Sequence, residues 1–563
     1  MQEFWEPLPW QNKWSRPNEE VTQPKSRQRV QNMKRESNIS SSDPRMVQNP
    51  RMVAVIDIGA SSLRMQIAEI NPETKAIRNL ESFSQAVSVG KDSFVKGYIE
   101  KQTIEDCVRV LEIYRAKLEE YGVVQRNAIR VIATSGVREA TNRLAFIDRI
   151  FVATGFEIEP FDEAELHRVT YLGILPFLND HGGKLSGQSL IFEAGGGTAE
   201  VLLLNQTDVL FARTYRLGSL RLRKILDLFY APLAKSRSLM ENQILQTIEE
   251  FKASTNDPNP ENFIAMGGDV RFAANEINQQ RVGNELVEIN IKALDAFTDQ
   301  ILLQSPNHLA SKYHMSLPDA KSLGPGLLTQ LLFAQQLGIK NFFVANVNMR
   351  DGLIKEMAQG HGWSYSIQSQ IVQSAIRLGR KYQFNEDHAI HVAELACSLF
   401  DQLQSLHKLD DRFRGILELA SLLHEIGYFI SSKSKHKHSM YLILNSEFFG
   451  IGNTDLQLIA LVARYHRGAS PLPRHEGYSR LDRKQRVAVS KLAAILRLAK
   501  ALDVGRNQRI KTIRCFERGN RLELSTPDVA DLSMEQLELR QVCGLFEDIF
   551  GREVILETVG FSQ

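Results

Sequence analysis

The chain has 563 residues, enough for three or four domains. Hydrophobic residues make up 43% of it and charged residues 24%, which excludes a chain that is disordered or fibrous throughout. A net charge of +2 excludes the global basic field of a protein that coats nucleic acid, so no nucleic-acid partner is expected. A local basic channel remains compatible with that balance. Cys107, Cys397, Cys515 and Cys543 form no CxxC pair, which argues against a thiolate zinc site and a disulfide scaffold. Such cysteine usage fits a reducing, cytoplasmic compartment. No run of ~18 apolar residues is present, so no membrane partner is expected. The N-terminus has no apolar stretch after a basic start and does not read as a secretory signal.

Residues 1–50 are rich in Gln, Asn, Arg, Ser and Pro and lack periodicity, which predicts a disordered tail. Trp5, Trp10 and Trp14 give that tail a second reading, a short docking peptide. Order begins at Met52. Val53 to Ile56 predicts a buried strand, Met65 to Ile70 a second, and the spacing of Ile104, Val108, Leu111 and Leu118 a helix over 104–120. Strands follow at Ile129 to Ala133 and Ser189 to Glu193. Alternating strands and helices predict an α/β fold. Gly324-Pro325-Gly326 reads as a tight turn before a helix. From about 370 to 505 the pattern is helical. Short strands return at Ile510 to Phe516, Arg521 to Leu524 and Val554 to Glu557, around one helix at 534–549 that Gly551 caps.

Two loops carry the chemistry. Asp57-Ile58-Gly59-Ala60-Ser61-Ser62 and Glu193-Ala194-Gly195-Gly196-Gly197-Thr198-Ala199-Glu200 each follow a buried strand. Each puts an acidic residue at the strand end, then small residues with free backbone N–H groups. Glycine lets the backbone approach a phosphate, and successive N–H groups form an anion nest. The carboxylates can hold a divalent cation. In two halves of a duplicated α/β domain, such loops would face each other across a cleft that takes a phosphate chain and its metal.

With these loops the chain resembles the exopolyphosphatase/guanosine pentaphosphate phosphohydrolase (Ppx/GppA) family of the actin-like ATPase superfamily, from about residue 52 to the C-terminus. Further motifs carry the resemblance: Ala133-Thr134-Ser135-Gly136-Val137-Arg138-Glu139-Ala140, Arg216-Leu217-Gly218-Ser219-Leu220-Arg221, Asn348-Met349-Arg350-Asp351-Gly352-Leu353 and Leu422-Leu423-His424-Glu425-Ile426-Gly427. It implies duplicated actin-like (ribonuclease H-like) α/β lobes over 52–185 and 186–365. A helical HD-like domain over 366–506 and a small α+β domain over 507–563 would follow. It also implies release of terminal phosphate from inorganic polyphosphate or guanosine pentaphosphate with Mg²⁺ or Mn²⁺, and a homodimer. Carried over by motif, Asp57, Glu193 and Glu200 would bind metal or orient water. Gly59, Ser61, Ser62, Gly195, Gly196, Gly197 and Thr198 would cradle phosphates, and Arg138 would contact the terminal phosphate.

The chain departs from the family pattern at several points. Ser61 stands where the family has Asn, Glu193 where it has Asp, and Thr198-Ala199 where it has Ser-Thr. Met266-Gly267-Gly268-Asp269-Val270-Arg271 resembles a glycine loop of the second lobe, with Asp269 in place of Thr; an acidic side chain there would repel a nucleotide phosphate. Anchored on Arg168 and Gly173, the position of the family's water-activating Glu falls on Leu166, which cannot accept a proton. A one-residue shift makes Glu165 the catalytic base; without it, the site is weakened by about 10²–10⁴-fold. His167 reads first as a partly exposed helix residue, and second as a substitute base in that case.

His388, His391, His424, Glu425 and Asp503 echo the ligand set of HD phosphohydrolases, with Glu425 in place of the motif's Asp. In the resembled family this domain does not perform the chemistry. Lys435, Lys437, His438, Arg464, His466 and Arg467 read instead as a groove for a long polyanion. Three rival functions are a binding or sensor protein for polyphosphate or guanosine tetraphosphate, a small-molecule kinase of the same superfamily, and an HD phosphohydrolase acting through His424.

Overall fold

In the computed structural model, which describes residues 50–179, 185, 187–228, 233–283, 285–360, 365–527 and 529–557, the first ordered element is the apolar run predicted from Met52. The Trp-bearing segment 1–49 lies outside the described residues.

Strand β1 (Arg51–Ile58) turns through Gly59 to Ser61 into β2 (Ser62–Ile70), which pairs with β3 (Ile77–Ala86). β4 (Ile129–Ala133) and β5 (Ile158–Pro160) add in parallel on the other side of β1, giving the order β3-β2-β1-β4-β5. The second sheet repeats this plan. β6 (Gln188–Ala194), β7 (Ala199–Asn205) and β8 (Asp208–Tyr215) form an antiparallel meander. β9 (Asn262–Met266) lies parallel to β6, β11 (Asn341–Val344) parallel to β9, and β10 (Val287–Ile289) closes the edge. Even the irregularity recurs: the register shifts between Ile67 and Ala68 in one sheet and between Leu203 and Leu204 in the other. The two sheets are duplicated actin-like lobes.

β1 is buried from Val53 to Ile58 and β6 from Ser189 to Phe192, so consecutive residues on both strand faces are covered. The second lobe's core holds Phe192, Phe263, Phe333 and Phe342, with Phe263 and Phe342 stacked at 4.8 Å. A fully buried Phe contributes about 1.5–3 kcal/mol. Gly324-Pro325-Gly326, read from sequence as a turn, lies inside the helix Leu317–Gln336. The glycines are there for close packing rather than for a bend. A Cβ on Gly326 would come within 2.2 Å of Asp269.

The segments 52–185, 186–365, 366–506 and 507–563 share cores across their ends. The helix Met349–Gln359 sits on the first sheet, where Leu353 and Ile354 meet Val53, Val55 and Ile132. β12 (Arg514–Arg518), β13 (Arg521–Ser525) and β14 (Glu553–Glu557) form a small sheet. Its Leu522, Leu524 and Leu556 belong to the same core as the helices between 365 and 502. The predicted helix at 534–549 is two helices, Ser533–Val542 and Gly544–Phe550, and Gly551 caps the second in the left-handed conformation.

Candidate active site

Both sequence-predicted loops are tight hairpin turns of one geometry. The Gly59 N–H donates to the Ser62 carbonyl at 3.1 Å, and the Gly195 N–H to the Thr198 carbonyl at 2.8 Å. The turns meet tip to tip. A Cβ on Gly196 would lie 3.3 Å from that of Ala60. Gly218 packs beneath the second turn so closely that a Cβ there would fall 2.2 Å from the Gly197 carbonyl carbon, which explains the glycine of the Arg216–Arg221 motif. Beside the tips opens a cleft of about 440 Å³, the size of a small-ligand site.

Strand register sets what each hairpin offers to the cleft. Asp57 pairs across its hairpin with Arg64; Glu193 pairs across its own with Glu200. All four line the cleft, with Gly59, Ser61 and Gly195 to Thr198. Arg350 arrives from the start of the helix Met349–Gln359, which Asn348 and Asp351 fix in a capping box. Its Nη1 stands 3.4 Å from Asp57 Oδ2. Arg271 and Asp269 come from the first turn of the helix Gly268–Asn278. Three guanidinium groups therefore face a group of buried carboxylates.

The electrostatics follow from burial. Burial pushes Asp57 up, opposed by Arg350 and Arg64. Burial and the facing Glu200 push Glu193 up to about 7. Burial also pushes Asp269 to about 7, with Asp319 adding to it. Burial alone would raise Glu200 as well. Hydrogen bonding and charge interaction with His167, together with hydrogen bonds from Thr214 and Thr198, bring it below the usual carboxylate range. The Thr214 hydroxyl gives its single proton to Glu200. The His167 Nε2, 3.0 Å from Thr214 Oγ1 and 3.2 Å from Glu200 Oε2, must then be the ring's donor.

Several sequence-predicted residues lie elsewhere. Glu165 does not face the cleft. Asp162 caps the helix Glu163–Asn179, the Glu165 N–H donates to Asp162 Oδ1 at 3.0 Å, and Glu165 Oε2 accepts from the Asp162 N–H at 3.0 Å. This reciprocal pair aims Glu165 at Gly452 of the helical region. Leu166, not Glu165, lines the cleft. Arg138 donates to the Phe161 carbonyl at 3.0 Å and stands 3.4 Å from Glu163, outside the cleft lining. Ser62 is the first residue of β2 and buried, with its Oγ unpartnered; strand alternation turns it away from the site that Ser61 lines.

The groove residues divide. Lys437 and Arg467 are exposed, and His438 and Arg464 half-buried. Lys435 and His466 are buried, so they cannot line a surface groove. Lys435 Nζ is held by Glu425 at 2.6 Å and by the Tyr428 hydroxyl.

Arg64, Arg271 and Arg350 were not assigned by sequence reasoning. Arg64 stands two residues past the first loop, and Arg350 sits inside a quoted motif. Each was legible as a cation near a phosphate loop, but their convergence depends on chain segments nearly 300 residues apart.

A two-lobed actin-like fold with two facing phosphate-type hairpins defines the class. The chain belongs to the Ppx/GppA phosphatase family, whose model matches residues 66–361, and the model of the family's domain III matches residues 372–541. Among curated proteins it is similar to the guanosine-5′-triphosphate,3′-diphosphate pyrophosphatase of Aeromonas hydrophila, 23% identical, covering 82% of this chain and 89% of that one. The Vibrio vulnificus protein of the same name is 23% identical over 80% and 87%. Among solved structures, an exopolyphosphatase from Cytophaga hutchinsonii is 20% identical over 55% of this chain and 98% of that one, with a TM-score of 0.49. No helix among the described residues is long and apolar enough to cross a membrane.

Proposed function

We propose that the cleft hydrolyses a terminal phosphoanhydride bond, releasing orthophosphate from guanosine pentaphosphate or from inorganic polyphosphate. The observation that carries this reading is the pair of facing hairpins, whose buried carboxylates are opposed by Arg64, Arg271 and Arg350. Membership of a phosphatase family and the names of the curated relatives support it. Of the remaining parts of the reading, a cytoplasmic location rests on the cysteine usage and a homodimer on the family resemblance.

The donor set fits Mg²⁺ or Mn²⁺. Asp57 Oδ1 is buried without a partner, and Glu193 and Glu200 oppose each other as like charges that call for a cation or a proton between them. All three offer hard oxygen ligands. A divalent ion bound there would neutralise charge on the phosphate oxygens. The chain's own groups do the rest. The turn N–H groups and the three arginines hold the phosphates. Glu200, with His167 and Thr214 behind it, orients the attacking water and receives its proton. Arg138 and Glu163 lie on the flank. Lys437, His438, Arg464 and Arg467 form a basic surface for the distal part of a long polyanion.

Leu166 favours one second reading, a binding or sensor protein with a slow cleft. The test is phosphate release from guanosine pentaphosphate and from long-chain polyphosphate, with Mg²⁺ and then with a chelator. Metal-dependent release with guanosine tetraphosphate as the nucleotide product supports the hydrolase. Tight binding of both compounds without turnover supports the sensor.

A further inference from the structure

The helical region buries an unusual set of side chains that the cleft chemistry does not use. His388 and His391 project from the helix Glu386–Gln402, and His424 follows the helix Arg412–Leu423. His466 follows the helix Asn453–Arg464. All four are buried, and in all four Nε2 is buried without a hydrogen-bond partner. The His388 and His424 ring centres lie 5.7 Å apart, and those of His424 and His466 5.0 Å apart.

The tautomers follow from the partners of Nδ1. In His424 it lies 2.6 Å from the Ser421 carbonyl, and in His466 2.7 Å from the Ala463 carbonyl. A carbonyl only accepts, so the proton is on Nδ1 and Nε2 carries a bare lone pair. His388 Nδ1 lies 2.7 Å from Asp503 Oδ2, and the Gln508 N–H holds the other Asp503 oxygen at 2.9 Å. A carboxylate behind a histidine is the arrangement that fixes and strengthens a metal ligand.

Unpaired buried acceptors are costly and rare. One occupant would satisfy several here at once. Ligand atoms of His388, His424 and Glu425 all lie within 4.8 Å of one another. The geometry points to a second metal site in this region, separate from the cleft, in which His388 Nε2, His424 Nε2 and the Glu425 carboxylate bind a transition-metal dication, with His466 flanking and Asp503 orienting His388. Its chemistry selects the ion. Lys435 and Arg506 already neutralise Glu425, at 2.6 and 2.5 Å. An ion held mainly by charge, such as Mg²⁺ or Ca²⁺, is therefore disfavoured. An imidazole-seeking ion such as Zn²⁺, Co²⁺, Ni²⁺ or Fe²⁺ is favoured. The same packing explains why Lys435 is buried beside Glu425 instead of lining a surface groove.

The test uses the full chain, stripped with chelator and titrated with Zn²⁺ or Co²⁺ in excess Mg²⁺. The expected result is one tightly bound ion per chain by elemental analysis, a visible Co²⁺ ligand-field band, and a melting temperature raised by at least ~3 °C. His424→Gln should abolish the band. Asp503→Asn, which leaves the ligands in place, should weaken affinity roughly 10–100-fold. Glu200→Gln, altered only in the cleft, should bind Zn²⁺ and Co²⁺ like the wild type. Wild-type chain that takes up no stoichiometric Zn²⁺ or Co²⁺ overturns the proposal, as does a Co²⁺ band that survives in His424→Gln and vanishes in Glu200→Gln.

Discussion

The two lobes present the same hairpin with opposite charge logic. In the first, Asp57 faces Arg64 across the turn and Arg350 from the third side. In the second, Glu193 faces Glu200, with His167 and Thr214 behind the latter. Turn geometry is shared, so the backbone nest is a property of the fold. What differs is the residue opposite the strand-end acid. An opposed arginine makes a hairpin suited to gripping phosphate. An opposed carboxylate makes one that needs a cation or a proton, and so can handle water. On the proposed reading, one side-chain position per hairpin divides binding from chemistry.

The sharpest way to break this comparison is to neutralise each hairpin in turn. Glu200→Gln should lower turnover by about 10³-fold with little change in substrate affinity, because on the proposed reading it removes the group that takes the water's proton. Arg350→Ala should cost about 10²-fold in kcat/KM, mostly through binding. Steady-state phosphate release on both variants checks the pair. If both changed KM alone, the division between the hairpins would fail.

Leu166→Glu sharpens the comparison from the other direction. Leu166 lines the cleft but packs against the core of Val53, Val55 and Phe161. Because Glu200 already takes the water's proton on the proposed reading, a carboxylate there should leave turnover within about twofold. It should also lower the melting temperature, since a buried charge is costly. A stable variant with turnover raised about tenfold or more would mean that the cleft lacks its base and that Glu200 does not supply it.

The carboxylates predict a pH dependence of stability. Glu193 and Asp269 hold their protons to about 7, against ordinary values of 4.5 and 3.8. Between those limits the folded chain keeps protons that the unfolded chain has released. The stability of the metal-free protein should therefore fall as pH rises through that window, and level off above it. Melting curves across the window test this, and added Mg²⁺ should blunt the fall if it binds at Glu193.

The smallest effect lies on the basic surface. Lys437→Ala with Arg467→Ala should weaken binding of long-chain polyphosphate roughly three- to tenfold at low salt, and far less at high salt. Guanosine pentaphosphate turnover should not change. Filter binding across a salt series measures it.

The hairpins were legible because their signal is local: an acid at a strand end, then small residues, all within one turn. Leu166 was legible as a departure for the same reason. Glu165 misled because a capping box and a paired-carboxylate motif look alike in sequence. Only the Asp162 contact shows which one this is. Lys435 and His466 misled because a run of Lys and His reads as a solvated surface, while burial depends on segments that are distant in sequence. Gly324-Pro325-Gly326 has turn composition, yet helix packing against Asp269 and Leu302 set its conformation. The three arginines came from separate elements, and no local window holds them together.

The most direct measurement is hydrolysis of guanosine pentaphosphate in heavy-oxygen water, with Glu200→Gln run alongside. The account predicts one labelled oxygen in the released orthophosphate, unlabelled guanosine tetraphosphate, and near-complete loss of both products in the variant. Label in the nucleotide, or full activity in Glu200→Gln, would contradict it.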